Sequence, residues 1–268
     1  MKKVPARLHI IPASGCSKAL ILRRGPSEQV ASILWDRATD SFDMGQWLKG
    51  RIYEHRSDLS PDGQHMVYFA GNGRSWWTAV SRAPFLRAVL FEPQSGTWCG
   101  GGAFDSGGQL WLNGGPASGG RLPDGLKQAP EMAYPASTDG FHMGDTYTTI
   151  LTRRSWTHES GAGYSALLHH DLWSGWALEL RFEVQAKNRA IVSNRYALVH
   201  IETGNRIEQP DWEWAEPFED RLYFAAGGML YRAGVAADGQ VQDPEVIKDF
   251  NEMVFDAIKA PYEGVRTR

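Results

Sequence analysis

Short apolar runs bounded by polar turns recur along the chain. The clearest copy passes from the turn SPDG at residues 60–63 into the run MVYFA at 66–70 and stops at Gly71. An apolar run of this length between turn residues predicts a buried β-strand. The same order of turn, strand and glycine returns at residues 109–112 and 222–225. Tyr68 and Trp111 hold equivalent positions about 43 residues apart, a period typical of four-stranded repeat units.

Hairpin turns follow these strands. Asn, Gly and Asp at 39–40, 94–96 and 203–205 predict tight turns, because Asn and Gly readily adopt the positive φ angles that such turns require. The last hairpin leads to an ambiguous segment at 244–262. Its apolar residues fit one face of a short helix or two strands at 246–247 and 253–258, and its place after the hairpin favours the strands. The repeat units are predicted to begin near residues 8, 57, 104, 160 and 212.

The stretch DLSPDGQHMVYFA at 58–70 resembles the WD40-like repeat of TolB-type β-propellers, whose units place a Ser-Pro-Asp-Gly turn before the innermost strands. Pro217 is a remnant of this motif in the last copy, and the whole chain also resembles bacterial proteins with no assigned activity. The resemblance implies an all-β fold: a single β-propeller domain spanning 1–268. At roughly 45–55 residues per blade, the length predicts about five four-stranded blades, with four or six as alternatives.

One long Gly- and Pro-rich stretch, 113–145, interrupts the repeats. Loops longer than ~12–15 residues are uncommon in compact domains and are usually functional or disordered. We interpret this stretch as a loop or insertion over one mouth of the propeller. A linker between domains is disfavoured, because another copy of the strand pattern follows it.

Charge and cysteine content narrow the functional classes. The 28 basic and 31 acidic residues give a formal net charge of −3, without the basic excess of a nucleic-acid-binding protein. No apolar run approaches the ~20 residues that span a bilayer. Two cysteines are too few for a disulfide framework, and the run ASGC at 13–16 lacks the preceding apolar core of a secretion signal. We therefore expect a cytoplasmic protein that binds neither nucleic acid nor membrane.

Three residues are weak candidates for metal ligands. Imidazole and carboxylate groups suit divalent cations, and His142, Asp145 and His170 could supply them. His169 and His170 are adjacent, so on a strand they point to opposite faces and only one could join such a site. Recognised zinc spacings such as HExxH are absent. A role in holding turns together is preferred, and no metal or cofactor is expected.

Acidic residues near predicted strand starts raise the possibility of glycoside hydrolysis, which some five-bladed propellers perform. That reaction needs two carboxyl groups ~5–10 Å apart. Aspartates in turns also bind the backbone of their own turn, so a structural role is favoured. The candidates are Asp36, Asp58, Asp105, Asp171 and Glu216.

Arginines and tryptophans are the candidate ligand-binding residues. Arginines at strand ends could attract an anion, although ordinary ion pairs with the many acids explain them more simply. Trp76 and Trp77 cannot both face inward on one strand, and an exposed indole can pack on a sugar. The residues predicted to bind ligand are Arg24, Arg56, Trp76, Trp77, Arg82, Trp111, Trp212, Trp214 and Glu216.

The sequence favours a non-catalytic binding protein over an enzyme. It has neither a G-x-S-x-G nucleophile elbow nor a phosphate-binding loop. The propeller mouth and the 113–145 loop are predicted to form the contact surface for a protein or a small ligand, carbohydrate included. The alternative is a glycan-directed protein, either a lectin or a five-bladed glycoside hydrolase. Paired carboxylates would favour the hydrolase, whereas Trp and Arg without paired acids would favour binding.

Overall fold

The computed structural model describes residues 4–25, 28–115, 117–130, 143–184 and 192–264. Strands dominate it, and its larger sheets are antiparallel meanders in which strands consecutive in sequence pair with one another. Repeated four-stranded meanders of this kind define the β-propeller class. The predicted all-β propeller fold is therefore confirmed, with four blades found within the described residues.

The chain divides into two compact units. One, called here the 10–142 unit, comprises Ile10–His142 and Val254–Arg268. The other, called the 143–253 unit, comprises Met143–Met253 and Met1–His9.

The 10–142 unit contains two blades and a smaller sheet. The first blade has the order β1 (Arg7–Pro12), β2 (Lys18–Arg24), β3 (Gln29–Asp36) and β4 (Ser41–Lys49). The first three residues of β1 belong to the 143–253 unit. The second blade consists of β5 (Arg51–Ile52), β6 (Asp58–Leu59), β7 (His65–Gly71), β8 (Trp76–Arg82) and β9 (Ala88–Gln94), with β5 and β6 both paired to β7. The smaller sheet pairs β10 (Gly102–Phe104) with β11 (Leu110–Leu112).

The SPDG turn forms as its sequence predicts. Ser60 Oγ donates to Asp62 Oδ1 at 2.6 Å, and the same carboxylate oxygen accepts from the Gln64 amide at 3.0 Å. Gly63 has a φ of 70°, which glycine adopts without steric cost. Strand β7 follows and is buried at every position after its first. The buried side chains that pack the first two blades together include Leu20, Leu22, Val30, Ile52, Met66 and Tyr68.

The third predicted repeat contains only β10 and β11 as strands. Leu110 donates its amide to the Lys127 carbonyl, and its own carbonyl accepts from the Ala129 amide, each at 2.8 Å. An isolated parallel bridge pairs Leu110 with Gln128. Part of the predicted 113–145 loop therefore extends this small sheet. Residues 116 and 131–142 of the loop lie outside the described residues.

The 143–253 unit contains two blades and a helix, α1 (Met143–Thr152). Its first blade has the order β12 (Thr157–Ala162), β13 (Ser165–Asp171), β14 (Trp176–Val184), β15 (Val192–His200) and β16 (Arg206–Gln209). Its second blade has the order β17 (Trp214–Phe218), β18 (Arg221–Ala226), β19 (Met229–Val235) and β20 (Val241–Asp249). The core of this unit includes Trp156, Trp176, Phe182, Tyr196, Leu222 and Phe224.

The structure of the segment 244–262 confirms one of its two predicted strands and not the other. Residues 246–247 lie in β20, as predicted, but 253–258 form neither a strand nor a helix, so the second predicted strand is wrong. These residues are held by side-chain contacts instead of a strand ladder. Within the described residues, no helix has the length and apolarity needed to cross a bilayer.

Candidate functional site

The outer edge of the second blade carries aromatic side chains that reach solvent. Among the described residues, strand β9 lies at the end of its sheet and pairs with β8 alone. Phe91 on β9 is 54% exposed, and Trp98 in the loop that follows is 66% exposed. We call Trp77, Phe91, Glu92, Gln94 and Trp98 the β9 edge surface. Exposed aromatic side chains are enriched at interaction sites.

One face of this edge is aromatic. Trp77 pairs with Pro93 across the ladder and Phe91 pairs with Ala79, so the two aromatic side chains share a face. Their ring centroids are 6.0 Å apart with an interplanar angle of 29°. Trp77 also packs against the core between the first two blades. A half-buried indole therefore fixes the position of the exposed Phe91 ring.

The opposite face is polar and adjoins the 113–145 loop. Glu92 Oε1 accepts from the Ser118 amide at 3.0 Å, which ties the loop to the edge strand. A Cβ built on Gly114 would lie 3.2 Å from Cys99 Cβ and 4.0 Å from Gln94 Oε1. The loop and the turn after β9 therefore run side by side. The edge therefore presents its aromatic side chains on one face and a carboxylate and an amide on the opposite face.

A charged cluster fixes the loop to the other end of the same blade. Arg82 donates two hydrogen bonds to Asp124, each 2.7 Å long, and His65 Nε2 lies 3.2 Å from the same carboxylate. The Arg82 hydrogen bonds hold the pKa of Asp124 below its usual range, although partial burial acts in the opposite direction and His65 contributes less. Arg82, predicted as a ligand-binding residue, thus anchors a loop in this structure.

The Asp124 anchor predicts a pH-dependent stability. Because folding lowers the pKa of this carboxyl group, its contribution is complete above the unfolded pKa of about 3.9 and is lost as the pH falls through the folded value. Asp124→Asn is expected to lower the free energy of unfolding at pH 7 by up to ~1 kcal/mol, since the pair is partly exposed. The difference from wild type should shrink below pH ~4, measured by urea denaturation.

The matched control is Asp220→Asn, because Asp220 is 88% exposed and its ion-pair distance to Arg221 is 3.9 Å. It should change the unfolding free energy little at either pH. A difference between wild type and Asp124→Asn that is as large at pH 3 as at pH 7 would show that the ionised carboxylate does not anchor the loop.

Arg56 is buried, with 3% of its surface exposed. Its Nη1 donates to the carbonyls of Thr97 and Cys99 at 2.7 and 3.2 Å, and its guanidinium lies 5.1 Å from the centroid of the Phe69 ring. Burial lowers the pKa of Arg56 to about 10, with smaller opposing effects from Tyr53 and Cys99. These contacts make Arg56 a support beneath the loop that carries Trp98.

The other predicted ligand-binding residues differ in exposure. Arg24 is half-buried and lies 3.3 Å from Glu54 in an ion pair, and Trp76 is half-buried on β8. Four of these other predicted residues are buried: Trp111, Trp212, Trp214 and Glu216. Of the nine residues, Trp77 belongs to the β9 edge surface and Arg82 binds the adjoining loop.

The candidate acids of the 10–142 unit bind backbone amides. Asp36 Oδ1 accepts from Ala38, and Asp105 Oδ1 accepts from Gly107 and Gln109. Asp58 is buried and its Oδ2 accepts from the Phe104 amide at 2.8 Å. Hydrogen bonds of this kind account for aspartate at turns and strand starts without catalysis. In the 143–253 unit, Asp171 is exposed at the end of β13 and Glu216 is buried on β17.

The candidate metal ligands are not brought together in the part of the chain that can be described. His142 lies outside the described residues. Asp145 accepts from the Gly163 amide at 2.6 Å, and the His170 ring packs edge-on against Trp156 at 5.5 Å. Within the described ranges, no group of three or more His, Cys, Asp or Glu side chains is placed to hold a metal ion.

A row of alternating charges crosses the first blade of the 143–253 unit. His169 lies 3.2 Å from Glu159 and 3.3 Å from Glu179, and Arg206 joins Glu179 to Glu208 at 2.5 and 2.6 Å. His169 and Glu179 are direct register partners on β13 and β14, and the other groups lie on β12 and β16. The ion pairs link the strands of this blade to one another.

Sequence reasoning missed Phe91, Glu92 and Trp98. Phe91 sits in the apolar run 88–91, where periodicity alone does not distinguish an exposed ring from a core ring. The available signal was the polar alternation that follows it, at 92–95, which is typical of an edge strand. Trp98 follows the predicted turn at 94–96 and lies outside any strand in the structure.

Comparisons with known proteins gave similar solved structures but no family. A scan of family models and a search of curated proteins gave no match to the sequence. Among solved structures, the chain is similar to the periplasmic gluconolactonase PpgL of Pseudomonas aeruginosa, with 13% identity over 90% of this chain and 85% of that chain and a TM-score of 0.35. It is also similar to an acylaminoacyl peptidase in complex with Z-Gly-Gly-Phe-chloromethyl ketone, with 11% identity over 89% of this chain and 46% of that chain and a TM-score of 0.30.

A third similar structure is Saccharomyces cerevisiae Sqt1, with 10% identity over 92% of this chain and 74% of that chain and a TM-score of 0.25. The present chain spans about half the length of the peptidase. These proteins differ in function, and the similarity assigns none of their activities to this chain. The β-propeller class itself rests on the strand order described above.

Proposed function

We propose that this protein is a non-catalytic binding protein whose contact surface is the β9 edge surface together with the adjoining part of the 113–145 loop. The observation that carries the proposal is the pair of exposed aromatic side chains, Phe91 on β9 and Trp98 in the loop that follows it. Large aromatic groups of this kind contribute most of the binding energy in protein interfaces. The preferred partner is a protein.

The surroundings of this surface support a role in binding. Trp77 packs behind Phe91 and holds its ring, while the Arg82–Asp124 and Glu92–Ser118 contacts hold the loop beside it. A surface fixed before binding loses less conformational entropy when a partner docks. Pro93 lies on the same edge and lacks a backbone donor, which disfavours pairing with a foreign strand. Side-chain recognition is therefore favoured over strand addition.

The test is the double substitution Phe91→Ala/Trp98→Ala. Both side chains are more than half exposed, so the unfolding free energy should change by no more than ~0.5 kcal/mol. A partner captured from the natural host by wild-type protein should then be purified and titrated. Its dissociation constant should rise at least ~30-fold, because each exposed aromatic anchor is worth about 1 kcal/mol or more.

The control is Tyr164→Ala, which removes an aromatic ring that is 66% exposed in the 143–253 unit. It should leave the partner affinity unchanged. Equal affinities for wild type and the Phe91→Ala/Trp98→Ala variant would place the contact surface elsewhere and contradict the proposal.

A glycan-directed role is the second candidate, and the same surface favours it. The exposed Phe91 and Trp98 rings offer apolar platforms on which a sugar face can pack. A thermal-shift panel of oligosaccharides distinguishes the two. A ligand at ~100 times its dissociation constant stabilises a protein by roughly 2.7 kcal/mol. An increase in melting temperature with an oligosaccharide that disappears in the Phe91→Ala/Trp98→Ala variant would identify a glycan, and not a protein, as the natural ligand.

A further inference from the structure

Residues 254–262 cross the 10–142 unit without forming a helix or a strand. Most of this segment faces solvent, and Val254 is 78% exposed. Three anchors hold the segment in place: the side chains of Phe255 and Tyr262 and the main-chain carbonyl of Ile258. None of these contacts involves a residue of the β9 edge surface.

The first anchor is the Phe255 ring. The centroid of this ring lies 6.1 Å from the centroid of the Trp47 ring on β4. The ammonium group of Lys49 lies 4.8 Å from the Phe255 centroid. The Arg23 guanidinium covers Trp47 at 5.4 Å. Phe255 nevertheless remains 38% exposed, so it rests in a shallow aromatic and cationic recess.

The second anchor is the backbone at Ile258. Gln46 on β4 donates its side-chain Nε2 to the Ile258 carbonyl at 2.7 Å. The Gln46 Oε1 accepts from the amides of Leu86 and Arg87, at 2.9 and 2.8 Å. One glutamine therefore joins the first blade, the loop after β8 and the segment, and both ends of its amide are used.

The third anchor is Tyr262. Its hydroxyl donates to the Arg87 carbonyl at 2.7 Å, and its ring packs edge-on against Phe85 at 6.1 Å. The Arg82 guanidinium lies 5.0 Å from the Tyr262 ring centroid. Arg82 thus faces the segment as well as the Asp124 carboxylate of the loop.

We propose that the groove formed by Trp47, Lys49, Gln46, Phe85 and Arg82 is a peptide-binding site that residues 254–262 occupy in cis. The foreign occupant is a segment of a partner protein with the same anchors: an aromatic residue, a tyrosine seven positions later, and between them a main-chain carbonyl placed for Gln46. The groove recognises this pattern through two cationic aromatic recesses and one side-chain amide that binds the main chain. This mode resembles the general recognition of extended peptides by pockets and backbone contacts.

The structure of the segment makes displacement feasible. Its described contacts to the groove are made at separate side chains, and no strand ladder has to be broken. A tethered segment has an effective concentration in the millimolar range, so weak intrinsic affinity is enough to keep it in place. A partner segment with better anchors competes successfully. Exposure of Val254 and Phe255 leaves the first recess accessible at its rim.

The experiment uses the full-length chain with a protease site inserted between Met253 and Val254. The protein is folded intact, cut, and dialysed to remove the released segment. A fluorescent peptide of residues 253–264 is then titrated into cut and intact protein by anisotropy. Cut protein should bind the peptide at least ~10-fold more tightly, because the tethered competitor is gone. The same peptide with Phe255→Ala and Tyr262→Ala is the control and should bind at least ~10-fold more weakly.

Each other outcome overturns the proposal. Equal binding of both peptides, or no binding to cut protein, would mean that the groove has no recognition of its own. Loss of the circular dichroism spectrum on cutting would make the segment an integral part of the fold. An intact dimer that becomes monomeric on cutting would identify a second copy as the occupant in place of a foreign partner.

Discussion

Arg56→Ala is expected to lower the free energy of unfolding by about 3 kcal/mol. The side chain is 3% exposed, and it donates to two loop carbonyls that would be left without this donor. Loss of a charged donor from a buried site costs about 1.5–3 kcal/mol, and the void over Phe69 adds to it. Urea denaturation monitored by tryptophan fluorescence measures the change.

The matched control for this substitution is Arg24→Ala. Arg24 has a side chain that is 26% exposed and a single ion pair with Glu54, so its loss should cost ~1 kcal/mol or less. A small effect of Arg56→Ala, accompanied by loss of binding to an anionic ligand, would instead support the ligand-binding role predicted from the sequence.

Trp212→Ala is expected to cost about 3–5 kcal/mol, the range measured for large aromatic residues in cores. Trp212 is 7% exposed and its ring stacks on Phe224 at 4.6 Å with an interplanar angle of 17°. The Tyr196 ring lies 6.5 Å away in the same core. A protein weakened this much should melt many degrees below wild type in differential scanning calorimetry.

Trp98→Ala provides the comparison for Trp212, because the same residue type is 66% exposed there. Its effect on the melting temperature should be close to zero. If both substitutions were equally tolerated, Trp212 would not be a core residue and the sequence-based ligand-binding role would regain support.

The fold was largely predictable because its signals are local. A turn such as SPDG specifies its own hydrogen bonds, and a run such as MVYFA has no alternative but burial. The predicted unit starts near 8, 57, 104, 160 and 212 accordingly fall close to the starts of β1, β6, β10, β12 and β17.

The helix α1 and the C-terminal segment were not predictable in the same way. Tyr147, Ile150 and Leu151 follow helical spacing and are buried, but the threonines between them lower helix propensity. The apolar run at 253–258 carries the composition of a strand. It lies instead against Trp47 and Gln46, contacts that depend on residues roughly two hundred positions earlier.

The candidate site was predicted less well, since residue type does not determine exposure. Arg56, Trp111 and Trp212 have the chemistry of ligand-binding groups, but burial depends on the elements that pack over them. Phe91 has the chemistry of a core residue and is exposed because β9 ends its sheet. Trp77 was recognised because two adjacent tryptophans on a strand must face opposite sides, which is a constraint of local geometry.

The 143–253 unit joins residues 1–9 to residues that are synthesised much later, which has a consequence for biosynthesis. The Ala6 amide binds Asn251 Oδ1 at a separation of 245 residues, and the Leu8 amide binds Glu213 Oε2 at a separation of 205. A ribosome adding about 5–20 residues per second reaches Asn251 roughly 12–50 s after Ala6. Residues 6 and 8 must therefore wait until Asn251 and Glu213 have been synthesised before these hydrogen bonds can form. During that interval this segment of the nascent chain is open to chaperones and proteases.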